Sequence, residues 1–201
     1  DVVVKGNGQF QAAGTLIADA QRDVLATGVL SSVGDMLLAA AHVAHLEGSA
    51  ATDAALTLTG RDVAVGMDGL AQAGRTLNAS ASAALEVAGR MLSGGSQSLT
   101  AGDTLSVDGT AAALQGDLSL TAQRGDLALR AASRQQAGGG LTAQAGGALT
   151  ALGSVVAQHG MTLRAGTDAA LGGLAATQTG DLDIHAAGAL STTADGRLQS
   201  G

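Results

Sequence analysis

An apolar anchor returns about every 21 residues along this chain, and that periodicity limits the fold more than any other feature. In segments of the form Gly-x-Leu-x-Leu the anchors are Leu16, Met36, Leu56, Leu77, Leu99, Leu118, Leu141, Met161 and Leu182, spaced by 20, 20, 21, 22, 19, 23, 20 and 21 residues. A second ladder has the same mean step and runs through Val24, Val43, Val63, Leu85, Leu105, Leu127, Leu149, Leu171 and Leu190. A third, weaker one passes through Phe10, Leu30, Leu70, Leu92, Leu114, Val156, Leu174 and Leu198, with gaps near Leu46 and Gln135. Three apolar segments in each repeat imply three faces.

Within a segment the side chains alternate on a period of two, as in Leu118-Ser119-Leu120-Thr121 and Leu182-Asp183-Ile184-His185. That is strand spacing, one side chain in and the next out. A helix fits worse, because each of the frequent glycines would cost it about 1 kcal/mol relative to Ala. Between the segments stand Gly34-Asp35, Arg61-Asp62, Asp68-Gly69, Gly116-Asp117 and Gly180-Asp181. These read as corners, where Gly and Asp accept the positive φ that bulky residues resist.

The fold class that follows is all-β: a right-handed parallel β-helix with three strands per coil. Stacked at roughly 4.8 Å, nine to ten coils over residues 1–201 make a rod on the order of 45 Å long. A single coil buries its aliphatic side chains only against the coils above and below it, so stability is a sum over neighbours. Neither end carries an evident cap. Residue 1 opens directly into Val2-Val3-Val4, as the middle of a repeat would, so the chain is expected to be a shaft fragment of something longer.

The composition fits thin, repetitive layers. Hydrophobic residues make up 46%, with no Trp or Tyr and one Phe, so the core has to be aliphatic. Thirty-one Gly occur with no Pro, a pairing that a stacked parallel sheet explains because nearly every N–H is wanted by a neighbouring coil. The lack of Cys excludes disulfides, thiolate metal sites and Cys nucleophiles. A net charge of −7, with Lys5 the only lysine, argues against nucleic acid as a partner. No apolar run is long enough to expect a transmembrane helix.

These repeats, on a Gly- and Ala-rich background free of Pro and Cys, resemble the shaft of the filamentous haemagglutinin family. The resemblance spans essentially the whole chain. It implies a secreted, bacterial cell-surface exoprotein of a two-partner secretion system, with an outer-membrane transporter as partner of the full-length chain. It also implies an adhesive shaft carrying sites for a host-cell receptor, an integrin or a glycan. The stick-like toxin-delivery proteins of contact-dependent growth inhibition share such a shaft, and an inert spacer stalk of that kind is the alternative.

Arg124-Gly125-Asp126 is the one short motif with a recognition chemistry, since an exposed Arg-Gly-Asp turn offers an integrin both a guanidinium and a carboxylate. It falls at the corner before Leu127. The competing reading is ordinary corner chemistry, because Gly-Asp recurs at 34, 102, 116, 125 and 180. Among Arg61, Arg75, Arg90, Arg124, Arg130, Arg134 and Arg164, the last three are candidate contacts for a sulfated glycan, Arg being suited to bidentate contact with sulfate. Scattered solubilising residues would look the same.

No metal or cofactor is expected. His42 and His45 lie three apart, which in a strand points them to opposite sides. The fifteen Asp do not follow the nine-residue Gly-rich repeat of a calcium-loaded β-roll. Enzymes acting on polysaccharides do use parallel β-helices, but they need clustered acids beside sugar-stacking aromatics, which this sequence does not offer. Catalysis is therefore not expected.

Overall fold

A computed structural model describes residues 1–201. Its regular structure consists of twenty-nine strands and no helix. The chain winds through three parallel sheets in turn, as the repeat implied. The first sheet has ten strands, from Val2–Val4 to Leu190–Thr192. The second also has ten, from Gln9–Ala12 to Arg197–Gln199, and the third has nine, from Leu16–Ala20 to Leu182–Ala186. Each strand pairs with the equivalent strand one coil away, so the architecture is a parallel β-solenoid of about ten turns, with three strands per coil.

A single apolar cluster of 48 buried residues runs along the interior. Outside it the backbone is almost fully employed, with 152 backbone–backbone hydrogen bonds in 201 residues. An inserted Pro would remove one of these donors at about three positions in four, which fits its absence.

The observed register corrects each apolar ladder. In the third sheet Leu77 pairs with Gln97, not with Leu99; Leu99 stands one inward position further on, between Ala79 and Leu120. Taking Gln97 as the rung replaces the uneven steps of 22 and 19 by 20 and 21. In the first sheet Ala44, not Val43, lies between Val24 and Val63, and Ala169, not Leu171, lies between Leu149 and Leu190.

The second sheet departs furthest. Its inward column is Phe10, Leu30, Ala50, Ala71, Met91, Ala111, Gln135, Val155, Ala175 and Leu198. Leu70, Leu92, Val156 and Leu174 stand on the other side of their strands, and Leu114 lies beyond its strand, 61% exposed. A slip of one residue turns a side chain to the opposite face, so a ladder picked by size rather than by register mixes both faces.

The second sheet also supplies, at the ends of its strands, hydroxyls that close its corner. Ser32 Oγ donates to Gly34 O at 2.8 Å, Ser93 Oγ to Gly95 O at 2.9 Å and Thr177 Oγ1 to Gly180 O at 2.9 Å, while Thr52 Oγ1 bonds Gly34 O from the next coil. All four residues are buried. Each hydroxyl satisfies a carbonyl that the turning backbone leaves without a strand partner.

The corners use Gly for a different reason from the expected one. Only Gly180 has positive φ, at 86°. At many other corners close approach excludes a side chain: a Cβ on Gly48 would overlap the carbonyl of Gly28, and one on Gly109 that of Gly89. Stacked corners bring backbone against backbone, and only a residue without Cβ fits between.

Candidate functional site

The corner between the third and first sheets carries the Arg-Gly-Asp triplet, set by Leu118–Ala122 on one side and Leu127–Leu129 on the other. Arg124 and Asp126 are both exposed, as an inserted corner requires. Their polar atoms reach neighbouring coils. The Arg124 guanidinium donates through Nε to Asp103 Oδ1 at 2.9 Å, forming an ion pair with it, and through Nη2 to Ser82 O at 3.4 Å, and Asp126 Oδ1 accepts the Ala148 N–H at 2.8 Å. Gly125 packs over the Asp103 carbonyl, where a Cβ would stand 2.7 Å away.

This use of Asp is general along the rod. Val43 N–H donates to Asp23, Ala55 N–H to Asp35, Ala84 N–H to Asp62, Gly140 N–H to Asp117 and Ala189 N–H to Asp168. The donor is a residue at the corner, or at the start of the strand after it, one coil on. Sequence reasoning recognised Asp35, Asp62 and Asp117 as corner residues and missed the role of all five as ties between coils. The signal was their recurrence just before an inward apolar residue, as in Asp126-Leu127 and Asp168-Ala169.

The three arginines proposed for a glycan do not share one face. Arg130 and Arg134 flank the corner between the first and second sheets, whereas Arg164 lies on the third sheet beside Gln144 and His185. Arg130 is occupied locally, with Nε 3.3 Å from Asp108 Oδ2. Of the histidines, His42 sits in a corner and His45 on the outer first sheet, hydrogen-bonded to Glu47 at 3.0 Å. His159 bonds Thr179 and His185 lies on the third sheet. No three metal-ligating side chains come together.

The third sheet presents the broadest regular surface. Its outward positions form two adjoining columns, Thr57, Asn78, Ser98, Ser119, Thr142 and Thr162 beside Thr59, Ser80, Thr100, Thr121, Gln144 and Arg164. Neighbouring rungs lie at the strand separation of about 4.8 Å. The face is uncharged over most of its length and suits contact with a large, flat or extended partner better than capture of a small molecule.

Residues 1–60 match the family model described as haemagglutinin repeat. The likeness covers 60 of 201 residues. The matched stretch covers the first coils, and the same three sheets continue in register from there through the remaining coils to Gln199. No curated protein and no solved structure matches the chain. The matched repeat and the parallel β-solenoid fit an adhesin-like shaft. No helix is long and apolar enough to cross a membrane.

Proposed function

We propose that the chain is an adhesive shaft segment of a large secreted bacterial surface protein, and that it attaches to host cells through the Arg124-Gly125-Asp126 corner. The observation that carries the shaft reading is the unbroken parallel register of the three sheets across all coils, which makes a stiff rod from local contacts alone. Such a rod holds a binding corner away from the cell that bears it. Exposure of both Arg124 and Asp126 supports the corner as the receptor contact. The proposed setting is extracellular, with an outer-membrane transporter serving the full-length protein and no catalysis.

One observation favours a second reading, the inert stalk of a toxin-delivery protein: Arg124 and Asp126 already hold Asp103 and Ala148. Adhesion of integrin-bearing cells to the immobilised chain separates the two. Asp126→Glu is compared with Asp168→Glu, which disturbs the equivalent tie to Ala189 but lies outside the triplet. Loss of adhesion in Asp126→Glu alone supports the receptor corner. Equal adhesion of both variants and the parent sinks the triplet's role, and no adhesion by any of them leaves the stalk reading.

A further inference from the structure

Asn78 is the one Asn placed in a strand; the only other, Asn7, lies in a turn closed by the Gly8 N–H on the Lys5 carbonyl. It is the second residue of the third-sheet strand Leu77–Ala81 and faces outward, between Thr57 and Ser98 of the neighbouring coils. Asn is depleted in strands and favoured in turns. Every other outward position in this column from Thr57 to Thr162 holds Ser or Thr. The Asn78 side chain is exposed, and unlike the hydroxyls of Ser32, Ser93 and Thr177 it is tied to no carbonyl. Nothing in the stacking of the coils calls for an amide at this rung.

The position does have a particular follower. Ala79 points inward, 1% exposed, and Ser80 returns to the outer face beside Asn78, roughly 7 Å along the strand. Asn78-Ala79-Ser80 is thereby an acceptor triplet for N-linked glycosylation, which needs a hydroxyl two residues after the Asn. The surroundings suit a sugar. Thr57 and Ser98 stand about 4.8 Å to either side, with Thr59 and Thr100 flanking Ser80 in the same way. All four are short, uncharged and hydroxyl-bearing, so a hexose on Asn78 finds room above them and groups that both donate and accept hydrogen bonds.

We propose that Asn78 is an N-glycosylation site. In the transfer, Asn78 Nδ2 bonds to the anomeric carbon of a nucleotide-activated hexose as the bond from that carbon to the phosphate oxygen breaks. The nucleotide diphosphate leaves with the electron pair, and the amide gives up one proton. A separate glycosyltransferase carries out this step. The fold sets the order of events. Acceptor Asn residues ordinarily stand in surface loops, but Leu77–Ala81 is paired along its whole length on both edges. An enzyme cannot draw that segment into its own site without breaking both ladders, so the sugar is added before the coils stack. Folding then leaves it outside, because Asn78 points away from the core. The site lies on a different face from the Arg-Gly-Asp corner and does not rest on the receptor reading.

Peptide mapping by mass spectrometry, on the chain isolated from the organism that makes it, tests the assignment. Trypsin cuts after Arg75 and Arg90, and the peptide 76–90 is expected to be heavier by hexose, with fragmentation placing the added mass on Asn78. Asn78→Gln and Ser80→Ala should each abolish the addition and Ser80→Thr should keep it, with circular dichroism showing all three variants as β-rich as the parent. In vitro, an N-glycosyltransferase that uses this triplet, supplied with uridine diphosphate glucose, should modify chain freshly diluted from urea severalfold more than refolded chain. An unmodified peptide 76–90, added mass that survives Asn78→Gln or Ser80→Ala, or equal modification of folded and unfolded chain would overturn the proposal.

Discussion

Asp126 Oδ1 lies 2.8 Å from the amide nitrogen of Ala148, so one carboxylate oxygen holds a corner of the next coil in place. The same contact recurs at Asp117 with Gly140 and at Asp168 with Ala189, each at 2.7 Å. It is charge-assisted but exposed, which moderates its strength.

Removing that tie at a central coil should destabilise the rod without changing its fold. Asp126→Ala is expected to cost about 1 kcal/mol, and Asp126→Asn less, because an amide oxygen still accepts the bond. Urea unfolding followed by circular dichroism reads this directly. An unchanged midpoint in the Ala variant would mean that water replaces the carboxylate without loss.

Gln97 offers the opposite case. It is 2% exposed, its inward rung lies between Leu77 and Leu118, and neither amide atom has a hydrogen-bond partner. Burying an unpartnered amide in aliphatic surroundings is unfavourable. Gln97→Leu completes the apolar ladder and should stabilise the chain by about 2 kcal/mol. A lower denaturation midpoint in that variant would show that the site needs its amide.

Close stacking at the corners makes some glycines irreplaceable and others free. Gly109→Ala would drive a methyl into the Gly89 carbonyl and is expected to cost more than about 2 kcal/mol. A Cβ at Gly6 meets nothing within 4 Å, so Gly6→Ala should stay within about 0.5 kcal/mol of the parent. Thermal melts of the two variants side by side check the contrast, and equal shifts would contradict the stacking.

The period, the three faces and the strand assignment were legible because Leu118, Leu127 and their counterparts repeat where alternation is strict. Register was less so. Gln97 and Gln135 occupy inward rungs that no apolar search accepts, and Ala44, Ala50, Ala71 and Ala111 fill others with side chains too small to outweigh a neighbouring Val or Leu. Leu92 and Val156 attracted the third ladder although they point outward, half-buried on the sheet surface. The Arg-Gly-Asp corner was visible as a motif. Its ties to Asp103 and Ala148 were not, since they join residues about one coil apart and depend on which corner stacks on which.

The most direct test of the stiff, evenly stacked shaft is a distance between two points on one face. Thr57 and Thr162 lie in the same outward column, joined through Asn78, Ser98, Ser119 and Thr142. Spin labels at Thr57→Cys and Thr162→Cys should give a single narrow distance near 24 Å, five steps of about 4.8 Å. A broad distribution, or a distance far from that value, would contradict the continuous solenoid on which the shaft function rests.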